Sequence, residues 1–366
     1  MHIQQFFSSS KQSGQSDVAS AFTKRSRVTK KGTRLQMKSH NIVSHTVYLV
    51  RQHFTNQFLR PFPITRMTRF HAAVLSVVFH TGWWCLCTAD VGDFTPCLQF
   101  FYMSWPPKGL TGTPICQRYN NQYRFATLYS RPRRSPWLSA YLYTAPEGKR
   151  PSASWKFEPQ LAYPKADGNM LPFPPGPLDQ IIVDSQAVEL DYINSTYTRG
   201  HLNPSLHHQH QDDRSSTFTL TNVVPQKGGS NDGPWETLEQ TINKTLQTYC
   251  LDKAYIVTGI IPYEKDDRWL KDHRVAIPEY LWSAYCCPNY NNSLPKELLG
   301  TFPTYAVIGR NDRNSTEDIV PVSKTTPKKF RGYDVRKMPL DTLEMYLKDR
   351  FKAVVSVFYQ QCSGQQ

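Results

Sequence analysis

The sequence predicts an α+β domain that begins near residue 90 and continues to the end of the chain. Three observations predict this class. Hydrophobic residues make up 39% of the 366 residues and aromatic residues 13%, which suffices for a packed core. Several short segments have strand-like patterns, and two longer segments have the apolar spacing of amphipathic helices. We find no internal repeat, so one large domain with a mixed sheet, flanking helices and long loops is expected.

Residues 1–66 have a composition unlike the rest of the chain. They contain 11 Lys and Arg residues and a single acid, so only +4 of the formal charge of +14 belongs to residues 67–366. The body is therefore nearly neutral, and any basic surface on it must be local. We predict that residues 1–66 form a basic low-complexity extension that is disordered or missing from the mature protein. The alternative is a mitochondrial presequence.

Residues 67–89 have the three parts of a secretory signal peptide. Met67 and Arg69 form a charged start, an apolar stretch follows, and Ala89 ends a run of small residues suited to cleavage. The apolar stretch is short for a membrane span. We therefore expect a secreted protein whose mature domain, residues 90–366, has no membrane span. The alternative is a mitochondrial protein imported through residues 1–66.

Six cysteines follow residue 89, and none has the CxxC spacing of a zinc site. An even number in a secreted chain predicts disulfide bonds, and six cysteines allow fifteen pairings. The adjacent Cys286 and Cys287 are expected to have different partners. Four Asn-x-Ser/Thr sequences agree with a glycoprotein of the secretory route, at Asn194, Asn243, Asn291 and Asn314.

The first half of the domain predicts a hairpin and a long loop. Residues 122–130 and 137–144 have strand patterns, and the basic link RPRRSP joins them. Residues 145–179 are rich in Pro, Gly and Lys and predict a long loop. Residues 188–195 have a strand-like composition. Residues 216–224 alternate, with Asn222 on one face of the predicted strand.

The second half predicts two helices among several strands. Residues 234–250 have a helical apolar stripe, with Pro234 at the first helical position. Residues 254–261 predict a buried strand, and residues 339–351 a helix whose Asp341 and Glu344 have capping-box spacing. Further strands are expected at residues 275–285 and 305–308.

One set of polar residues suits the hydrolysis of a phosphodiester bond. His201 can take a proton from water because its ordinary pKa is near 6.5, and Arg199 can neutralise charge on the phosphate. A divalent metal would stabilise the departing oxygen. Asn231, just before the second-half helix at residue 234, can ligate Mg²⁺ through its amide oxygen, and Glu239 can hold the water ligands of the ion.

These residues occur in a pattern that resembles the DNA/RNA non-specific endonuclease family. Arg-Gly-His is followed by Asn-x-x-Pro-Gln, an Asn, and a Trp and Glu on a helix. Asn222 precedes Asn231 by nine residues, and Asn231 precedes Glu239 by eight. The resemblance covers about residue 67 to the C-terminus. It implies the ββα-metal (His-Me finger) nuclease fold and a secreted endonuclease that hydrolyses DNA and RNA with little sequence preference, bound through their backbone phosphates.

The resemblance also implies roles for individual residues. His201 would be the general base, Asn231 the ligand of Mg²⁺ or Mn²⁺, and Glu239 the residue that holds the water ligands of the ion. Two further residues are implied at the active site: Asn222 as a positioning residue, and one arginine of the hairpin link, either Arg133 or Arg134, as a transition-state arginine.

Two features qualify this interpretation. The family has an Asp where Thr198 precedes Arg-Gly-His, so a catalytically weak or inactive binding or signalling protein is the alternative function. His207, His208 and His210 could form a metal site together with Asp212 and Asp213, although a solvated loop is the favoured interpretation.

Overall fold

The computed structural model describes residues 90–363. The extension at 1–66 and the signal-peptide segment at 67–89 lie outside the described residues. The centre of the domain is a seven-stranded sheet of order β1-β2-β3-β8-β11-β12-β13. The strands are β1 Thr113–Tyr119, β2 Gln122–Ser130, β3 Ser135–Tyr143, β4 Lys156–Phe157, β5 Leu171–Pro172, β6 Tyr197–His201, β7 Val223–Lys227, β8 Ala254–Ile261, β9 Arg268–Leu270, β10 Val275–Ile277, β11 Tyr280–Cys286, β12 Thr304–Arg310 and β13 Val335–Met338.

Helices surround this sheet, and most of them are short. No helix among residues 90–363 is both long enough and apolar enough to cross a membrane. The helices are α1 Pro159–Ala162, α2 Gln180–Ser185, α3 Glu189–Tyr192, α4 Gln211–Ser216, α5 Gly228–Asn231, α6 Pro234–Tyr249 and α7 Leu340–Phe351.

Five of the seven strands of the sheet form where the sequence predicts strands, whereas β1 and β13 lie outside the predicted strands. Strand β2 coincides with the predicted residues 122–130, and β8 with residues 254–261. The ladders within the sheet are antiparallel. The predicted strand at residues 275–285 is divided into β10 and β11 around Pro278, which has no N–H to donate to a ladder.

Each face of the sheet carries one long helix. On one face, α7 buries Leu340, Leu343 and Leu347. On the other face, α6 buries an apolar stripe against the sheet, and each large side chain contributes about 1.5–3 kcal/mol when fully buried. Pro234 begins α6 as predicted. The buried residues of the α6 stripe are Trp235, Leu238, Ile242 and Leu246.

Three local predictions are wrong. Residues 188–195 form α3 rather than a strand, because the Asp191 carboxylate accepts the Val188 N–H at 2.9 Å and closes a helical turn. Residues 216–224 form a turn followed by the start of β7, and their side chains are buried on all sides rather than alternately. Glu344 makes no capping box, since its carboxylate accepts the Val357 N–H at 2.8 Å.

Three disulfide bonds join the six cysteines that the structure describes. They are Cys97–Cys116, Cys250–Cys287 and Cys286–Cys362. The expectation that Cys286 and Cys287 have different partners is confirmed. Successive strand residues point to opposite faces, so each of these two cysteines joins a different layer of the domain.

The four glycosylation sequences differ in accessibility. Asn194, Asn291 and Asn314 are exposed. Asn243 is half-buried on α6, where its side-chain oxygen accepts the Tyr143 hydroxyl at 2.6 Å. Glycan attachment therefore remains a prediction with three accessible positions.

Two buried ionisable residues lie on β4 and just after it. Lys156 and Glu158 are 3% and 2% exposed, and burial lowers the pKa of Lys156 to about 8 and raises the pKa of Glu158 to about 8. The Glu158 carboxylate accepts hydrogen bonds from the hydroxyls of Thr219 and Thr221, at 3.3 and 3.2 Å. One of its oxygens, Oε1, is thus hydrogen-bonded within the protein.

Candidate active site

A small hairpin and the helices that follow it bring the predicted site residues together. Strands β6 and β7 pair antiparallel, with His201 opposite Val223, and the chain then continues into α5 and α6. Gly200 is required in this hairpin, because a Cβ there would lie 2.6 Å from the Cβ of Gln226. The order strand, strand, helix places His201 beside the first turns of α6.

Four of the predicted residues line one pocket of about 260 Å³. These are Arg199 and His201 from β6, Asn231 from the end of α5, and Glu239 from α6. The other lining residues come from the loop after β3, from the segment after β6, from α4, from the link between α5 and α6, and from α6: Pro146, Gly148, Arg150, Pro204, Ser205, Leu206, Arg214, Asp232, Glu236 and Gln240.

His201 is held between two aromatic rings. Its ring centroid lies 5.5 Å from that of Trp155 and 5.2 Å from that of Phe218. Burial, and then the charge of Arg150, lowers the pKa of His201 to about 3. Its Nε2 has no hydrogen-bond partner within residues 90–363. His201 is therefore a neutral imidazole at physiological pH and can accept a proton.

Arg199 shares the aromatic support of His201. Its guanidinium lies 5.0 Å from the Trp155 ring and 5.5 Å from the Tyr192 ring. Its nearest carboxylate is Glu189 at 4.0 Å, and its Nε has no partner in the described part of the chain. The neighbouring Thr198 hydroxyl donates to the Gln226 carbonyl at 2.9 Å. A threonine thus stabilises the hairpin where the family pattern has an acid.

The acidic wall of the pocket suits a hard divalent cation. The Asn231 amide and the carboxyl groups of Asp232, Glu236 and Glu239 all line it, and Mg²⁺ and Mn²⁺ prefer such oxygen ligands. Burial, and then the charge of Glu236, raises the pKa of Glu239 to about 8. Among the described residues there is no group of three or more His, Cys, Asp and Glu side chains placed to bind a metal. An ion here would therefore depend on the amide oxygen of Asn231.

Asn222 does not line this pocket. It lies fully buried in the turn before β7 rather than on a strand. Its side-chain oxygen accepts Ser139 Oγ at 2.9 Å and the Asn203 N–H at 3.0 Å, and its amide nitrogen donates to the carbonyls of Asn203 and Thr217. Asn222 therefore fixes the segment that follows His201 and makes its contacts with protein alone.

Arg133 and Arg134 are not among the residues that line the pocket. The Nη1 and Nη2 atoms of Arg133 donate to the Asp267 carboxylate, and the guanidinium lies 4.9 Å from the Trp137 ring. Arg134 donates to the carbonyls of Asp184 and Arg274, at 3.1 and 3.3 Å. These contacts hold the hairpin tip against the segment that carries β9 and β10.

Arg150 and Arg214 line the pocket instead, and no motif in the sequence indicates either of them. Arg150 is exposed, and its guanidinium lies 5.2 Å from the Phe218 ring, which also contacts His201. It lies in the loop after β3, whose Pro-, Gly- and Lys-rich composition has no period from which a facing direction could be predicted.

His207 and His208 are neither solvated nor arranged as a metal site. Both are buried, and burial lowers their pKa values to about 4 and about 3. The His207 ring is hydrogen-bonded to the Tyr141 hydroxyl and to the Glu239 carbonyl, each at 3.0 Å. His208 Nε2 is hydrogen-bonded to Asn203 Oδ1 at 2.6 Å. The solvated-loop interpretation is wrong for these two residues, which pack the loop against α6.

Residues 109–341 match the family model described as DNA/RNA non-specific endonuclease, so the chain belongs to the DNA/RNA non-specific endonuclease family. The predicted family is confirmed, and with it the ββα-metal fold class.

Several curated proteins and a solved structure are similar to this chain. Endonuclease domain-containing 1 protein of Homo sapiens is 34% identical over 206 residues, which is 54% of this chain and 40% of the relative. Its Mus musculus counterpart is 32% identical over 201 residues, or 53% and 39% of the two chains. The chain thus spans about two fifths of the length of these curated relatives. A crystal structure of an EndoG/EndoGI complex matches with a TM-score of 0.42 and 19% identity, over 68% of this chain and 86% of that one.

Proposed function

We propose that this protein is a divalent-metal-dependent endonuclease that hydrolyses phosphodiester bonds of DNA and RNA with little sequence preference. The observation that carries the proposal is the pocket in which a neutral His201, with its Nε2 unpaired among the described residues, lies with Arg199, Asn231 and Glu239. Lack of sequence preference follows if the contacts are made to phosphates, which carry no base information.

The protein side chains would divide the work of hydrolysis. His201 would take a proton from the attacking water, since its lowered pKa keeps the imidazole neutral, with one ring nitrogen unprotonated. Arg199 and Arg150 would bind the non-bridging oxygens of the phosphate, because guanidinium donors match phosphate geometry. Trp155 and Phe218 would hold these three side chains in place.

Asn231 would hold a Mg²⁺ or Mn²⁺ ion and Glu239 would orient its water ligands; the bound ion would supply charge neutralisation at the leaving oxygen. A cation beside Glu239 would also favour the ionised carboxylate and oppose the pKa increase that burial causes.

Secretion is part of the same proposal. It is supported by the signal-peptide pattern of residues 67–89, by three disulfide bonds and by three exposed glycosylation sequences. A relative in Mus musculus is named Nuclease EXOG, mitochondrial, and is 26% identical over 126 residues, 32% of this chain and 34% of the relative. The import alternative is tested by N-terminal sequencing of the mature protein. A first residue at Asp90 would exclude it.

The second candidate function is a nuclease-fold protein that binds without cutting, and the observation that favours it is Thr198. Thr198 donates to a backbone carbonyl and brings no negative charge next to Arg199. In that case the pocket would still bind phosphate, since this requires only the arginines.

Plasmid nicking in the presence of Mg²⁺ tests the proposal. We expect the wild type to convert supercoiled to open-circular DNA and His201→Ala to lose about 10²–10⁴-fold in rate. His273→Ala is the matched control, because His273 is exposed and does not line the pocket. A folded wild type with no activity above that of His201→Ala would refute the nuclease proposal and favour the binding protein.

A further inference from the structure

Arg214 occupies an unusual position for a guanidinium group. It projects from α4 into the pocket, and the atoms Nε and Nη1 are buried with no hydrogen-bond partner among residues 90–363. Donors buried in this way leave favourable interactions unmade, so such a group is expected to find acceptors from outside the protein.

The carboxylates on α4 and in the neighbouring loop are engaged by other residues. Asp212 and Asp213 share α4 with Arg214, and both accept from Arg124, at 3.3 and 2.8 Å. Glu147, in the loop beside it, accepts from Gln209 Nε2 at 2.6 Å. The positive charge of Arg214 is thus available to a ligand in the pocket.

The loop after β3 closes over this guanidinium. Gly148 has φ of +73° and lines the pocket, and a Cβ built there would lie 3.6 Å from Nη2 of Arg214. The left-handed backbone of Gly148 favours glycine, so the loop can pass directly over the arginine. Arg150, two residues later, adds a second cation that has no ion pair in the described region. One side of the pocket is therefore cationic, whereas Asp232, Glu236 and Glu239 make another side acidic.

We propose that Arg214 binds a second phosphate group of the substrate strand, the one next to the phosphate that is cleaved at His201. This inference rests on the proposed function, since it assumes that the first phosphate lies at His201 and Asn231. It deepens that function by making the substrate class a strand with at least two consecutive phosphates. A nucleotide with a single phosphate would leave the donors of Arg214 unpaired.

Calorimetric titration in Mg²⁺ with thymidine 3′,5′-bisphosphate and with thymidine 5′-monophosphate tests the inference. We expect the wild type to bind the bisphosphate on the order of tenfold more tightly, as one additional charge-assisted contact predicts. Arg214→Gln should reduce this ratio to near one. Lys149→Gln removes the same charge from the loop at a position that does not line the pocket, and it should keep the wild-type ratio.

The other possible results of the titration also decide whether Arg214 binds a second phosphate. A wild type that binds both nucleotides equally, or an Arg214→Gln ratio equal to that of the wild type, overturns the inference. An equal loss in Lys149→Gln also overturns it, because general electrostatic attraction would then be sufficient. If Arg214→Gln does not fold, Arg214→Lys keeps the charge but lacks Nε, and its ratio should be intermediate; an unchanged ratio would contradict the proposal.

The nicking assay separates this inference from the proposed function. Active wild-type enzyme whose bisphosphate preference is independent of Arg214 refutes the second phosphate position alone. Inactive wild-type protein whose preference depends on Arg214 refutes the nuclease proposal and retains a phosphate-binding pocket.

Discussion

The hairpin tip and the pocket both contain arginines, but these differ in what their donors contact. At the tip, Arg133 and Arg134 donate to a carboxylate and to backbone carbonyls of the protein. In the pocket, Arg150, Arg199 and Arg214 make no hydrogen bond through their side chains to any described residue, and Arg199 approaches a carboxylate only at 4.0 Å. The tip arginines therefore support the fold, whereas the pocket arginines are free to bind an anion.

Two buried carboxyl groups also differ in what their oxygens contact. Burial raises the pKa of both Glu158 and Glu239 to about 8. Glu158 accepts hydrogen bonds from two threonine hydroxyls, whereas the Glu239 carboxyl lines the pocket beside Asn231. A shifted pKa alone thus does not mark a functional group; the partners of its atoms distinguish a structural role from a site role.

The largest expected effect tests whether Arg150, one of the pocket arginines, takes part in catalysis. Arg150→Gln should lower kcat by about 10²–10³-fold, because it removes a positive charge from the phosphate in the transition state. Its melting temperature should stay near that of the wild type, since the side chain is exposed. Steady-state cleavage of a short oligonucleotide measures the rate. A loss below threefold would place Arg150 outside the reaction.

The next effect tests whether the tip arginines are structural. Arg133→Gln should lower the free energy of unfolding by about 1–3 kcal/mol, because it breaks a partly buried bidentate pair with Asp267 and a contact with Trp137. Urea denaturation measures this. Cleavage per folded molecule should remain within twofold of the wild type. A rate loss comparable to that of Arg150→Gln would instead show that Arg133 takes part in the reaction.

The next prediction concerns the buried carboxyl group of Glu158. The raised pKa of Glu158 means that its contribution to stability is full below its unfolded pKa, near 4.5, and is lost as pH rises through about 8. The Gln side chain of Glu158→Gln does not ionise, so the variant does not lose this stability as pH rises. Its amide oxygen can still accept hydrogen bonds from the threonine hydroxyls. The variant should therefore gain about 2–3 kcal/mol of stability relative to the wild type between pH 5 and pH 8, at up to about 1.4 kcal/mol per pH unit.

Urea denaturation of both proteins at these two pH values provides the measurement. A stability difference that does not change with pH would show that Glu158 is ionised throughout this range.

The smallest effect is in the salt dependence of nucleic-acid binding. Each phosphate contact contributes roughly −0.9 to the slope of log K against log salt concentration on duplex DNA. Arg150→Gln should make the slope shallower by about one unit, and Arg134→Gln should leave it unchanged. Fluorescence anisotropy with a labelled duplex at four salt concentrations resolves this difference. Equal slopes for all three proteins would remove the distinction between the two sets of arginines.

Patterns local in sequence predicted the main elements of the fold. The stripe beginning at Trp235 and the apolar run of β8 each depend on neighbours within a few residues, so their period reveals the element. The segment at residues 216–224 alternates equally well, yet it forms a turn. It is covered on all sides by distant parts of the chain, which local alternation does not report.

The site residues on the β6–β7 hairpin and on the two helices that follow it could be predicted from the sequence. Arg199, His201, Asn231 and Glu239 were all anticipated, and they meet in one pocket. Arg150 was missed because the position of a long loop is determined by packing against Phe218 and closure over Arg214. The position of Arg133 could not be predicted from its own neighbours in the sequence, because Asp267, 134 residues further along the chain, binds it.

The consecutive cysteines at the end of β11 have a further consequence. Cys287 joins the layer of α6, which carries Glu239, and Cys286 joins the layer of α7 through Cys362. One strand end is thus fastened to both layers by separate covalent bonds. Reduction of one bond leaves the other intact, so the end of α6 and the C-terminal segment lose their covalent attachment to this strand end in separate steps.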